Sequence, residues 1–161
     1  MNLLLLKQIS ILSLLAGAVL GLITVIPFIN LFSFMILMLC LSVFILFYLR
    51  QHDMIGIINL REGCLFGAVI GFVSFMAFSV IYIPITMILG WLIPTYSQGW
   101  IRFFMGGFGT FIVMVFLVLF VAGLSALFNG FAGLVYVYVT ELITGIKKGN
   151  NENSSVDFEI K

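Results

Sequence analysis

The chain has 161 residues, of which 63% are hydrophobic and 8% charged, with a formal net charge of +1; its mean hydropathy is +1.31. A water-soluble domain carries about 25% charged residues, so this composition excludes a solvent-facing globule. The near-zero net charge excludes the basic field that nucleic-acid binding needs. Uncharged runs such as FIVMVFLVLFVAGL do not alternate in polarity, as strands of a membrane β-barrel would. The expected fold class is therefore all-α: a polytopic helical membrane protein whose spans satisfy their own backbone hydrogen bonds.

The first span is expected from about Ile9 to Phe28, ending at IPFIN, where Pro27 and Asn30 favour a tight turn. Its start, MNLLLLKQISILSLLAGA, resembles a signal peptide. However, Lys7 falls within the apolar stretch rather than ahead of it, and apolar character continues to Pro27, which favours a retained helix. The second span follows from about Leu31 to Leu49, closing at Tyr48 and Arg50. Residues 50–62, RQHDMIGIINLRE, form a charged loop.

A third apolar segment starts at Gly63, runs to Pro84 and extends to Ile93. As a straight helix it would reach about 45 Å, against a hydrocarbon core of about 30 Å, so a kink at Pro84 is expected. The following WLIPTYSQGW places Trp91, Tyr96 and Trp100 together as an interfacial aromatic belt.

The last apolar block, Phe103 to Ile146, holds one span or two. Two would turn at Asn129-Gly130, a strong turn dipeptide. Charge favours one span, and four in all. That arrangement gathers Lys7, Arg50, Arg61, Lys147 and Lys148 on one side and leaves only Arg102 opposite. By the positive-inside tendency both termini are then cytoplasmic; a fifth span would move Lys147 and Lys148 across. The tail, residues 147–161, is polar and aperiodic and reads as mobile.

Small residues recur every fourth position in three segments: Ser13, Gly17 and Gly21; Gly63, Gly67 and Gly71; Ala122, Ala126 and Gly130. In a membrane such stripes let helix backbones approach closely, where dispersion and weak CH···O contacts hold them. They are the candidate packing residues, and the first two stripes make the first and third spans expected partners. LAGAVLGLITVIPF (15–28) also aligns with LFGAVIGFVSFMAF (65–78) at an offset of 50 residues. That alignment is either a parallel two-helix repeat, of a kind found in transporters, or convergence between glycine-rich helices.

GAVLGLITVIPFIN, LREGCLFGAVIGF and FNGFAGLVYVYVTELITGIKK together resemble a group of small bacterial multi-pass membrane proteins. In that group a glycine-rich first helix ends at a proline turn, and a cytosolic loop leads into a glycine-rich third helix. A final glycine-containing helix is followed by lysines. The chain departs from the pattern at Arg61, at Cys64, and in a last helix less dense in glycine. The resemblance implies a multi-pass protein of the bacterial cytoplasmic membrane and brings no established activity.

Chemistry-bearing residues are few. A phosphate loop needs flexible glycines ahead of a helix with Lys-Ser/Thr; in REGCLFGAVIG the apolar residues between the glycines favour continuous helix, and there is no lysine. His52, Asp53, Arg61, Glu62 and Cys64 gather near one membrane face but make no nucleophile–base–orienter set and no zinc ligand set. Cys40 and Cys64 sit at different expected depths and read as unpaired packing residues. Glu62, in the first turn of the third span, complements the helix dipole, or else binds a cation at a pore mouth. Glu141, near the end of the last span, reaches the headgroups by snorkelling, or else relays an ion or proton. No cofactor or metal is implied. The expected partners are membrane lipids, further copies of the chain or another membrane protein. The expected function is non-enzymatic, structural or accessory; the alternative is a small transporter or channel built from the repeated hairpin.

Overall fold

The computed structural model describes residues 3–26, 28–52, 58–92 and 108–155. All regular structure among them is helical. Helix α1 spans Leu3–Ile23. The second rod is α2 (Asn30–Met35), a π-helical turn (Ile36–Cys40) and α3 (Leu41–Gln51). Helix α4 spans Leu60–Leu92, and α5 spans Phe108–Ser155. Four stretches are long and apolar enough to cross a membrane: Leu5–Ile23, Asn30–Gln51, Leu60–Leu89 and Phe111–Ile143.

Local chemistry explains the ends. Helix α1 stops at Ile23, ahead of the expected Phe28, because a residue before proline is pushed out of the α region. The Thr24 hydroxyl closes the last turn on the Leu20 carbonyl at 2.6 Å. Pro84 lies inside α4, which continues beyond it; the Thr86 hydroxyl donates to the carbonyls of Tyr82 and Ile83 beside it, each at 2.9 Å. The turn weighed at Asn129-Gly130 does not occur, since α5 passes through both residues as one helix. Among the described residues the last block is one span and the total four, the arrangement the charges favour; the two-span alternative falls. Helix α5 also continues past the expected tail boundary to Ser155. Asp53, Tyr96, Trp100 and Arg102 lie outside the described residues.

Close approaches fix the directions of the helices. Gly17 meets Ser74, and Gly21 meets Phe78 and Ile81, so α1 and α4 run parallel. Gly63, Gly67 and Gly71 of α4 meet Val137, Asn129 and Ser125 of α5 in descending order, so α4 and α5 run antiparallel. The core gathers Ile9 of α1, Leu37, Leu41, Ile45, Leu46 and Leu49 of the second rod, Phe66, Ile70, Phe75 and Phe78 of α4, and Ala122 of α5.

Helix α4 does pack on α1, its expected partner, but through Ser74, Phe78 and Ile81; its glycine stripe Gly63, Gly67 and Gly71 faces α5. Helical geometry gives the reason. At about 100° per residue, positions 63, 67, 71, 74, 78 and 81 fall within one arc of about 80°. A single stripe is thus used by two neighbours in succession: α5 covers it from Gly63 to Gly71, and α1 from Ser74 to Ile81.

Candidate functional site

Eight polar side chains are buried among the described residues: Ser13, Thr24, Ser33, Ser42, Ser74, Ser79, Ser125 and Asn129. None of them is ionisable. Asn129 is the largest of these polar groups and is wholly buried, about 27 Å along α5 from Phe111 and about 21 Å from Ile143 at 1.5 Å per residue. An unpaired carboxamide at that depth would cost several kcal/mol, of the order of an amide moved from water to hydrocarbon, so its partners are decisive.

Those partners are in the second rod. The Asn129 Nδ2 donates to the carbonyls of Leu37 and Met38, each at 3.0 Å. Its Oδ1 accepts from the backbone N–H of Ser42 at 2.9 Å. In an unbroken α-helix the Ser42 amide would donate to the Met38 carbonyl four residues earlier. Here the carboxamide sits between those two groups and serves both. The rod accommodates it with the π-helical turn Ile36–Cys40, the single-turn bulge that arises where a side chain enters the ladder. The oxygen and nitrogen of the amide are assigned unambiguously by the network, since only Nδ2 can donate to carbonyls and only Oδ1 can accept from an amide.

Helix α4 joins the same knot. Asn129 Nδ2 also lies 3.1 Å from the Ser125 carbonyl and 3.4 Å from its Oγ, while the Ser125 hydroxyl donates to the Gly71 carbonyl at 3.1 Å. A Cβ at Gly71 would come 2.8 Å from that of Asn129. The glycine thus gives the carboxamide room to stand between α4 and the second rod.

The residues singled out from the sequence fall as follows. Ser13, Gly17 and Gly21 are buried on α1, and the Ser13 hydroxyl donates to the Ile9 carbonyl at 2.7 Å. Gly63, Gly67 and Gly71 are buried against α5. On α5, Ala122 and Gly130 are buried and Ala126 half-buried; Gly130 faces Cys64 and Ala68. The contact stripe there is completed by Ser125, Asn129 and Gly133, a Cβ on Gly133 lying 2.5 Å from the Gly63 carbonyl.

Glu62 is half-buried at the start of α4, its carboxylate 3.5 Å from the Asn59 N–H, a capping position. Glu141 is exposed. His52 is exposed and lies against the Tyr48 ring with centroids 4.5 Å apart. Cys40 and Cys64 are free thiols. Among the described residues no three His, Cys, Asp or Glu side chains gather as a metal site.

Asn129 carries a sequence signal with two meanings. Asn-Gly marks turns in water, but a lone carboxamide inside an otherwise apolar membrane helix also marks an interhelical hydrogen bond. The fold defines a class, the all-helical polytopic membrane proteins. No family model, curated protein or solved structure matches the chain.

Proposed function

We propose that the protein is a non-enzymatic structural or accessory component of a bacterial cytoplasmic membrane, with both termini cytoplasmic, acting through helix packing on lipid, on further copies of itself or on another membrane protein. The observation that supports this reading is the direction of its buried polar atoms. Asn129 and Ser125 spend their hydrogen bonds on the backbones of neighbouring helices, as glue does, while glycines bring the same backbones together. The outward faces are apolar, with Phe116 and Leu127 each 71% exposed. Native mass spectrometry of protein purified in mild detergent tests the reading: retained lipid, a second copy or another subunit is expected. A bare single chain would remove its basis.

The row of buried Ser42, Ser74, Ser125 and Asn129 side chains favours a second reading, a small transporter or channel, because polar groups within spans often line substrate paths. Glu62 and Glu141 would be its ionisable elements at the membrane face. Ion flux into liposomes carrying the protein, abolished in Asn129→Leu, would replace the first reading with this one.

A further inference from the structure

The second rod carries one more residue than a straight helix needs at its contact with α5. Its two halves are held unequally. Leu41, Ser42, Ile45, Leu46 and Leu49 of α3 are all buried, whereas α2 and the π turn bury only Ser33 and Leu37. The lighter half is tied to α4 at two points: the Asn30 Nδ2 donates to the Tyr82 hydroxyl at 3.4 Å, and the Phe34 ring meets Phe75 edge-on at 6.5 Å. That Phe75 ring continues through Phe78 to Tyr82 in an aromatic row, with centroids 5.8 and 5.1 Å apart.

At the bulge the ladder groups are in foreign hands. The Met38 carbonyl and the Ser42 amide, natural partners of each other, both bind Asn129. The Ser42 hydroxyl is buried and without a hydrogen-bond partner among the described residues. A serine in a helix ordinarily donates to the carbonyl four residues back; here that carbonyl is Met38's, already taken by Asn129. Removal of the carboxamide would free the Leu37 and Met38 carbonyls and the Ser42 amide; a continuous α-helix pairs Leu37 with the Leu41 amide and Met38 with the Ser42 amide, so closure strands none of the three.

We infer that the second span is a two-register helix and that Asn129 is the latch that selects its bulged register. With the carboxamide withdrawn, the span closes to continuous α-helix. The π turn contributes one extra residue, so closure turns the lightly held α2 half by about 100°, one residue's rotation. That turn lifts Asn30 off Tyr82 and Phe34 off Phe75. A change at Asn129, in the middle of α5, is thereby delivered to the far end of α4 through a rigid helix, with the bulge as its hinge. A switch of this kind needs two discrete packings of one element, and the bulge supplies the second from the same ladder groups.

The test exploits the fact that deleting one residue from the bulge, the exposed Leu39, yields a continuous α-helix whose flanks keep their present faces. Nitroxide labels are placed at Leu31→Cys or Phe32→Cys, each paired with Phe116→Cys, in a Cys40→Ala, Cys64→Ala background. All three label sites are exposed. Neighbouring label sites point about 100° apart, so a turn of α2 moves at least one of the two distances by roughly 5 Å, about a helix radius with side chains. The expected result is a shifted distance in Asn129→Leu and unshifted distances when Asn129→Leu is combined with deletion of Leu39. Thermal unfolding in detergent should follow: each single change lowers the midpoint, and the combination restores most of the loss. Unchanged distances in Asn129→Leu would overturn the inference, since the bulge would then stand without its latch. Should that variant fail to fold, the combination decides: recovered folding supports the exchange of carboxamide for bulge, and losses that merely add, or no recovery, reject it.

Discussion

Helix α5 contains two stretches that differ in kind. From Ala122 to Val137 it presents Ala122, Ser125, Asn129, Gly130, Gly133 and Val137 to its neighbours, all buried. From Phe111 to Phe120 the sequence is FIVMVFLVLF, and no residue is buried; Phe111, Phe116 and Phe120 are all more than half exposed. In water the more apolar stretch would be the one driven inward. Here it is the one left facing outward, because lipid solvates phenylalanine and leucine as well as a neighbouring helix does. What draws helices together in that solvent is close backbone approach and shared hydrogen bonds. The contrast assigns stability to the small and polar residues and leaves the large apolar ones as boundary.

The sharpest way to break this contrast is to put bulk into the engaged stretch. A Cβ at Gly67 would collide with the Asn129 backbone carbonyl and come within 3.0 Å of the Gly130 Cα. Neither atom is the movable end of a side chain, so the helices must part, and parting also pulls Asn129 from the bulge. Gly67→Leu is expected to cost more than about 3 kcal/mol, beyond the usual range for over-packing. Thermal melting in detergent would show the loss. An unchanged midpoint would mean that the seam does not hold the bundle.

The seam between α1 and α4 should yield with less damage. A Cβ at Gly17 would collide with the Ser74 backbone, yet α1 bears no part of the Asn129 network and packs chiefly on α4. It can move outward into lipid while α4, α5 and the second rod stay joined. Gly17→Leu is expected to cost about 2 kcal/mol. Labels on α1 should report displacement while those on α2 keep their distances. If Gly17→Leu proved as costly as Gly67→Leu, the two seams would be equivalent, and the polar knot would carry no special weight.

The sequence disclosed the four rods because bilayer thickness imposes a length on apolar runs that no soluble core imposes. It disclosed the small-residue stripes for the same kind of reason, since glycine at four-residue spacing has few other uses in a membrane helix. Which helix the α4 stripe would meet was not legible: Gly17 and Gly67 occupy matching places in two similar segments, yet Gly17 meets the expected parallel neighbour and Gly67 an antiparallel one. The bulge was hidden more deeply. Nothing in ILMLC distinguishes it from the apolar residues around it, and its cause lies 87 to 92 positions away along the chain. A helix defect that depends on a distant side chain has no local signature. Asn129 itself was visible, but its meaning depended on the solvent in which it was read.

The smallest expected effect has the opposite sign and lies where the two stretches of α5 meet. Gly123 shares its helix with Gly130 and Gly133, but a Cβ there would meet nothing within 4 Å. It therefore bears the conformational cost of glycine in a helix interior, about 0.5–1 kcal/mol relative to alanine, with no close approach in return. Gly123→Ala is expected to raise the melting midpoint by an amount corresponding to at most about 1 kcal/mol, whereas an alanine at Gly130, 3.2 Å from the Cys64 carbonyl, should lower it. The pair isolates the principle from composition: both residues are glycines in one membrane helix, seven positions apart, and only the one against a backbone should resist the added methyl. If Gly123→Ala destabilised the isolated chain, that position would be packed against something in detergent solution, and the outward face of α5 would have to be redrawn as an interface.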